Sequence, residues 1–310
     1  MSDTVAAGSR RRLLYVKEDS WGVTPSGAGV PVMKTLRNTG GSGFGMRRGS
    51  EESAEFRSDR AVADVRLGVQ RVNADIPFEL SWQSMDDMLE AALFGTWATN
   101  TLKQGVTATS FTFEEGFTDI GVYLTMPGTM VDTWSLNIQP EGRMITGSFG
   151  LMSKIQNDVA AATIADTITV ANTNAPFDSF TGGLDKDATP LAVVTSMQLN
   201  LSNNLAQLFA AFNKGSFAIT AGRANVTGSV TLYFTDSAFI EEYQNETEVK
   251  LEVLLTDLAG NSYLITIPRV KWTDNTRNLT ENTITQQVPF VGLYDSVSGT
   301  SLQIDRIPSA

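Results

Sequence analysis

One series of sequence patterns occurs twice in the chain, in residues 72–152 and again in residues 226–294. Each series begins with alternating apolar and polar residues, which is typical of a half-buried strand, and continues into a short amphipathic helix. A strand that contains a tyrosine and ends at a proline follows, and the last strand begins with Ile-Thr. The shared order predicts two similar units in one chain, and a duplication constrains the fold more than any single motif does.

The spacing between the two series changes little along the chain. It is 152 residues from Trp82 to Phe234 and 139 residues from Ile145 to Ile284, and a drift of this size indicates a difference in loop length. Two similar units in one chain allow a ring that has more equivalent positions than chains. The duplication therefore indicates assembly more strongly than it indicates chemistry.

Composition and length favour a mainly β fold with two domains. The 310 residues are enough for two domains, and Gly, Ser, Thr, Asn and Val are plentiful. We expect a first unit in residues 1–160, a connecting segment in residues 161–190 and a second unit in residues 191–310. Each unit is predicted to contain one short α-helix.

The chain lacks the residues that most often carry catalysis or bind metals. It contains no cysteine and no histidine, which excludes thiolate nucleophiles, zinc–sulfur sites and an imidazole base. Adjacent carboxylates diverge on a strand or a helix, so they do not form the facing pair of a glycosidase. We expect no cofactor and predict solvated surfaces for four acidic pairs: Glu51-Glu52, Asp86-Asp87, Glu114-Glu115 and Glu241-Glu242.

The charge is unevenly distributed along the chain. Residues 1–70 carry a net charge of +3 and residues 71–310 a net charge of −14. A body this acidic repels the phosphates of nucleic acid. No apolar run approaches the roughly 20 residues that span a bilayer, and no secretory signal is recognisable. We therefore expect an intracellular product without membrane insertion.

Local signals predict several elements. Residues 1–12 are interpreted as a basic arm, either disordered or docked on a neighbour. Residues 38–60 are rich in glycine and then in charge, which is typical of a long surface loop or an interface. Residues 84–95 predict a helix with an apolar stripe, capped by Ser84 with Asp87 and ended by Gly95.

Several segments carry a family resemblance. They occur in the order YVKEDSWGVTP (15–25), LRNTGGS (36–42), SAEFRSDR (53–60) and VNADIPFELSWQSMDDMLEAALFGTW (72–97). The match continues through residues 110–117, 123–138, 145–154, 226–234 and 263–272. This chain resembles the tail tube proteins, or major tail proteins, of bacteriophages with long non-contractile tails, in their tandem-domain form.

The resemblance implies two tail-tube-like β-sandwich or barrel units and a structural role in the virion. Rings stack into a hollow tube that conducts genomic DNA; single-unit members form hexamers, and tandem members form trimers with pseudo-sixfold symmetry. The implied partners are the chain itself, a tape-measure protein inside the tube, and terminator and distal tail or tail-tip proteins at its ends. Genomic double-stranded DNA passes an acidic lumen without specific binding, and assembly takes place in the host cytoplasm.

The charged part of the loop is the expected interface between rings or subunits, because charge pairs at a rim set register. Its residues are Arg47, Arg48, Glu51, Glu52, Glu55, Arg57, Asp59 and Arg60. A solvated loop is the alternative for this segment.

Two other functions remain open. A two-domain β-sandwich binding module, such as an adhesin, a decoration protein or a carbohydrate binder, would expose aromatic side chains on one face. The alternating positions of Trp82 and Trp134 predict core residues instead. A carboxylate-only hydrolase would need a cleft that holds an Asp or Glu with a raised pKa.

Overall fold

A computed structural model of the chain describes residues 5–41, 43–141 and 143–309. The described residues form a mainly β protein, as predicted, with helices α1 (Asp86–Ala92) and α2 (Ala238–Gln244) and one 3-10 turn at Gly8–Arg10. The strands are β1 (Arg11–Lys17), β2 (Val32–Thr35), β3 (Gly45–Glu52), β4 (Val65–Glu79), β5 (Thr101–Lys103), β6 (Phe111–Phe117), β7 (Val122–Ile138), β8 (Thr146–Ser153), β9 (Thr167–Thr169), β10 (Gly182–Lys186), β11 (Thr189–Pro190), β12 (Val194–Ser202), β13 (Ala206–Leu208), β14 (Ala218–Thr220), β15 (Asn225–Tyr233), β16 (Val249–Thr256), β17 (Ser262–Trp272), β18 (Thr276–Leu279), β19 (Ile284–Gly292) and β20 (Gln303–Ile307).

A central antiparallel sheet runs through both halves of the chain in the order β3-β4-β8-β7-β12-β15-β19-β18. Residues that lie directly opposite one another share a face of the sheet. One row across the sheet is buried and consists of Ile76, Phe149, Trp134, Leu201 and Val226. The next row lies on the other face and consists of Pro77, Ser148, Ser135, Asn200 and Thr227. The central sheet therefore has one apolar face and one polar face.

Two outer sheets join the central sheet. Their strand orders are β9-β2-β1-β6-β7 and β11-β10-β16-β17-β20-β5. Strand β7 belongs to two sheets, because residues 122–129 pair with β6 and residues 130–137 pair with β8. Gly128, with a φ of +66°, lies where the strand changes sheet. A positive φ favours glycine at this bend.

The two halves have the same order of strand neighbours. In the first half β4, β8, β7, β6 and β1 are successive neighbours, and in the second half β15, β19, β17, β16 and β10 are. Helix α1 follows β4, and helix α2 follows β15. Ile145 directly precedes β8, and Ile284 begins β19, so the sequence series and the strand order agree.

One continuous apolar core extends through both halves. It includes Trp82 and Trp134, which are 7% and 1% exposed, as the sequence pattern predicts. The apolar stripe of α1 is also confirmed, since each member is at most 2% exposed. Its members are Met85, Met88, Leu89, Ala92 and Leu93.

The predicted ends of α1 are wrong. No side chain caps its first turn; Ser84 instead donates its hydroxyl to the carbonyl of Ser81, at 2.9 Å. Asp87 is drawn away from a capping position because its carboxylate accepts hydrogen bonds from Tyr15 and Lys34. At the other end, Phe94 adopts the left-handed conformation, with a φ of +50°, one residue before the predicted terminator.

The N-terminal arm is shorter than the predicted residues 1–12, because Arg11 and Arg12 already belong to β1. Residues 1–4 of that arm lie outside the described residues, as does Ser42 of the predicted loop. The prediction of a solvated surface is wrong for Glu114 and Glu115, which are 0% and 3% exposed, and for Asp86, whose side chain is 15% exposed. Arg11 Nε lies 2.6 Å from the carboxylate of Glu115, so the arginines of β1 offset the burial of the two glutamate charges.

Candidate assembly surfaces

A long hairpin carries the charged residues that the sequence analysis selected. Strand β3 pairs with β4 from Gly45 opposite Asn73 to Glu52 opposite Val65, so the predicted loop 38–60 is partly a β-ribbon. Strand β3 carries four of the eight candidates: Arg47, Arg48, Glu51 and Glu52. The connecting residues 53–64 carry the other four: Glu55, Arg57, Asp59 and Arg60.

Some of these charged side chains form hydrogen bonds within the hairpin itself. The guanidinium of Arg48 donates to the carbonyls of Gly68 and Leu67, at 2.8 and 3.0 Å. At the tip, the guanidinium of Arg57 donates to both carboxylate oxygens of Asp59. That hydrogen bond lowers the pKa of Asp59 below its ordinary value. The pair is exposed and contributes little to stability, so it shapes the tip more than it stabilises the fold.

The two halves are joined by a strand pair in the central sheet. Strand β12 pairs with β7 from Met197 opposite Ile138 to Ser202 opposite Thr133. On its other side β12 pairs with β15, so the sheet passes from one half to the other without an edge. Paired edges are the usual way to remove exposed backbone donors and acceptors.

The central sheet ends at two exposed strands. Strand β18 pairs with β19 on one side, and all four of its residues are exposed. Strand β3, at the other end, pairs with β4 on one side. Within the described residues no strand covers the remaining side of either, and each therefore presents a template for pairing.

The polar face of the central sheet is dominated by hydroxyl and amide groups. A second row across this face consists of Glu79, Thr146, Asn137, Gln198 and Ser229. Strand β4 adds the exposed carboxylate of Asp75. Acidic side chains are thus sparse among these hydroxyl and amide groups.

These surfaces belong to a chain whose sequence matches one family model, described as phage tail tube protein, over residues 8–292. The chain belongs to the phage tail tube protein family. Its role is structural, as a self-assembling component of the virion tail that acts together with other tail components. No curated protein matches the chain.

The tail tube protein also has a polar cluster where the first helix meets the second half of the chain. Tyr263 donates its hydroxyl to the carboxylate of Asp86, and Arg306 lies 2.7 Å from the same carboxylate. The Arg306 guanidinium covers the ring of Trp97 at 4.0 Å. Burial raises the pKa of Asp86, although its bonds to Tyr263 and Arg306 oppose that shift. Burial is also the largest cause of the raised pKa of Tyr263.

A second hairpin of the tail tube protein was not identified from the sequence. Strands β13 and β14 pair from Ala206 opposite Thr220 to Leu208 opposite Ala218. Its connecting residues present Phe212, which is fully exposed and has a φ of +70°. The run Asn213-Lys214-Gly215 between short apolar stretches is a turn signal that would have located this hairpin.

A groove lies at the far end of the strand pair β7–β12 and has a volume of about 370 Å³. Its lining includes Ile138, Leu184, Leu191, Val194 and Met197. The described residues hold no group of three or more His, Cys, Asp or Glu side chains that could bind a metal ion. Neither described helix has the length and apolarity needed to cross a membrane.

Proposed function

We propose that three copies of this chain form a ring with pseudo-sixfold symmetry, and that such rings stack into the tube that conducts genomic DNA. The proposal treats the two halves as two copies of one unit, a first unit in residues 1–160 and a second in residues 191–310. The observation that carries it is the β7–β12 junction. A strand pair that joins two similar units within one chain can also join the second unit to the first unit of the next chain.

The order of neighbours in the two halves supports one choice of strands for this second junction. Strand β19 is the counterpart of β8, and β18 flanks β19 as the end of β7 flanks β8. In the first half β12 covers that end of β7, whereas the outer side of β18 is exposed. The start of β3 and the residues that precede it, in a neighbouring chain, supply the missing partner. Because the two edges differ, the interface is heterologous, and it closes into a ring when the rotation between neighbouring chains is one third of a turn.

The same correspondence gives the register. Gly45 corresponds to Ser202, because their partners Asn73 and Asn225 are 152 residues apart, as Trp82 and Phe234 are. Asp274 corresponds to Thr133, because extension of the β18–β19 register places it opposite Pro289, 139 residues beyond Gly150. Since Ser202 and Thr133 are direct partners, Gly45 of one chain pairs with Asp274 of the next.

Engineered cysteines test this junction directly, since the natural chain has none. The double variant G45C/D274C should form intermolecular disulfides on oxidation, because direct antiparallel partners have Cα atoms about 4.5–5.5 Å apart. Denaturing gels should show two-chain and three-chain species, and electron microscopy should show rings with six similar lobes.

The controls use each cysteine alone, which should give at most two-chain species. A ladder that extends to six chains would contradict the trimer and retain the ring. Double-variant rings that stay uncrosslinked under oxidation would contradict the pairing of Gly45 with Asp274. Monomers without rings at any concentration would contradict the assembly itself.

The polar face of the central sheet is the proposed wall of the lumen. Hydroxyl and amide groups such as those of Ser135, Asn200 and Thr227 offer no cation to the DNA phosphates, and Asp75 and Glu79 repel them. Weak adhesion of this kind suits a conduit through which DNA slides. The net charge of −11 adds a long-range repulsion.

The hairpin β3–β4 is the proposed contact between stacked rings. The charged residues of this contact are Arg47, Arg48, Glu51, Glu52, Glu55, Arg57, Asp59 and Arg60. Its tip residues 53–64 extend past the paired strands and are exposed, which suits a segment that reaches a neighbouring ring. We assign the protein no catalytic role. Its proposed partners are a tape-measure protein inside the tube and terminator and distal tail proteins at the ends of the tube. Assembly is proposed to take place in the host cytoplasm.

A further inference from the structure

We propose that Phe212 is an apolar knob that docks into the β7–β12 groove of a second copy of this chain in the adjacent ring. The inference rests on the proposed stacking of rings and specifies one contact that holds two rings together. It is separate from the charged tip of the first hairpin.

Two independent properties of Phe212 indicate a contact outside its own chain. Its side chain is fully exposed, at 108% of the reference area, so it contributes no burial to the monomer. Its backbone has a φ of +70°, a conformation that a bulky residue rarely adopts and that costs free energy. The unfavourable backbone conformation of Phe212 is not offset by burial of its ring within the monomer. Burial of the ring by a partner would offset it.

The second hairpin holds the knob in a fixed position. The backbone amide of Gln70 donates to the carbonyl of Lys214 at 2.7 Å, which ties the tip to the first hairpin. The guanidinium of Arg71 lies over the ring of Phe209, 4.5 Å from its centroid. Docking of a knob that is already ordered loses less conformational entropy than docking of a free loop.

The groove suits an aromatic side chain. Its volume is about 370 Å³, and its lining is mainly apolar, with Ile138, Leu191 and Val194 among the residues that form it. Asp178 and Asp185 also line it, and Lys214 lies exposed two residues from the knob. The knob and the groove are therefore complementary in charge as well as in polarity.

The knob and the groove lie at opposite ends of the same strand. Val194 and Met197, at the start of β12, line the groove, whereas Ser202, at its end, leads into the second hairpin. The eight residue steps of β12 span about 26 Å. A second ring stacked in the same orientation presents its groove to the knob of the first. Such a heterologous contact does not close, so it repeats and produces a filament.

Two substitutions of the knob test the proposal in rings of the full chain. F212A removes the ring of the side chain and keeps the strained backbone, whereas F212G also relieves the strain, since glycine adopts this φ freely. Both should form rings and fail to form tubes in negative-stain micrographs, and F212G should melt at a higher temperature than F212A. The control V159A shortens another exposed apolar side chain, 64% exposed, and should form tubes.

A groove variant and a mixing experiment complete the test. A192W fills the groove from an exposed position and should also stop at rings. Preformed F212A rings keep the groove and preformed A192W rings keep the knob, so a mixture should yield pairs of rings. Tubes of normal length from F212A, F212G or A192W would overturn the docking and leave the proposed function standing. Absence of rings from the wild-type chain would overturn both.

Discussion

Leu201 on β12 lies directly opposite Trp134 on β7, and each side chain is 1% exposed. The two residues belong to different halves of the chain, yet they share one row of one apolar sheet face. The halves are therefore joined by backbone hydrogen bonds and by a common core, which is the arrangement of neighbouring strands within a single domain.

This junction predicts that the two halves unfold together. L201A should lower the free energy of unfolding by about 2–5 kcal/mol, because it leaves a cavity in the shared core. Urea denaturation followed by tryptophan fluorescence and by far-UV circular dichroism should give one coincident transition in both the wild type and the variant.

The matched control is L208A, since Leu208 on β13 is 46% exposed and its loss should change stability by no more than about 0.5 kcal/mol. Two separate transitions in the wild-type chain would contradict the joint core and favour halves that fold independently.

The tip of the first hairpin should be dispensable for folding and necessary for stacking. Replacement of residues 53–64 by Asn-Gly joins Glu52 to Val65, which are direct partners, through a two-residue turn that suits a hairpin. The variant should keep the wild-type melting temperature and form rings without tubes. Size-exclusion chromatography and electron microscopy measure the two outcomes.

A control for tip length replaces residues 53–64 with a Gly/Ser linker of the same length. It removes Glu55, Arg57, Asp59 and Arg60 and keeps the reach, so tubes from the linker variant would show that these charges are unnecessary. Normal tubes from the shortened variant would contradict the whole hairpin assignment.

The buried carboxyl of Asp86 predicts a pH-dependent stability. Its folded pKa is raised above the unfolded value of about 3.9, so the folded state binds the proton more tightly than the unfolded state does. The contribution of this group is complete below the unfolded pKa and is lost as the pH rises through the folded pKa. D86N removes the titration.

The stability of the wild type relative to D86N should therefore decrease as the pH rises above the unfolded pKa, as measured by urea unfolding at a series of pH values. The matched comparison is D178N: burial acts to raise the pKa of Asp178, but its hydrogen bonds from Phe180 and Thr181 outweigh burial and lower that pKa. The stability of the wild type relative to D178N should increase with pH. If the difference in stability between the wild type and D86N did not change with pH, the raised pKa of Asp86 would be contradicted.

Strands, the α1 core stripe and the family were predictable from the sequence because each depends on a local pattern. Alternation at Trp134 and the spacing of Met85, Met88 and Leu89 report burial directly. The ends of α1 were not predictable, since Asp87 makes its bonds to Tyr15 and Lys34, which are distant in sequence. Local capping rules do not include such competitors.

The candidate assembly surfaces depend even more on long-range pairing. The charged residues of the hairpin were evident from composition, but their arrangement required the register of β3 against β4. Burial of Glu114 and Glu115 required knowledge that β1 brings Arg11 and Arg12 to β6. The exposed edge of β18 and the knob at Phe212 have no sequence signal of comparable strength, because exposure is a property of the completed sheet.

Glu18 should be among the most sensitive polar residues of the fold. Its buried carboxylate accepts hydrogen bonds from the amides of Gly22 and Gly128, at 2.7 and 2.8 Å, and from the hydroxyls of Ser110 and Thr112, both at 2.7 Å. It therefore fixes the bend at Gly128 where β7 enters the central sheet. E18Q replaces one acceptor oxygen with an amide nitrogen, so one backbone amide loses its acceptor, whereas the neighbouring hydroxyl can rotate and accept.

The substitution should lower the free energy of unfolding by about 1–3 kcal/mol, because an unsatisfied buried donor costs about that much. The matched control is D19N, at the exposed neighbouring position, which should change stability by less than about 0.5 kcal/mol. Because the bend directs β7 toward β12, amide hydrogen exchange in E18Q should accelerate at residues 133–138 before it does in β15. Equal stability of E18Q and D19N would show that this carboxylate does not hold the bend.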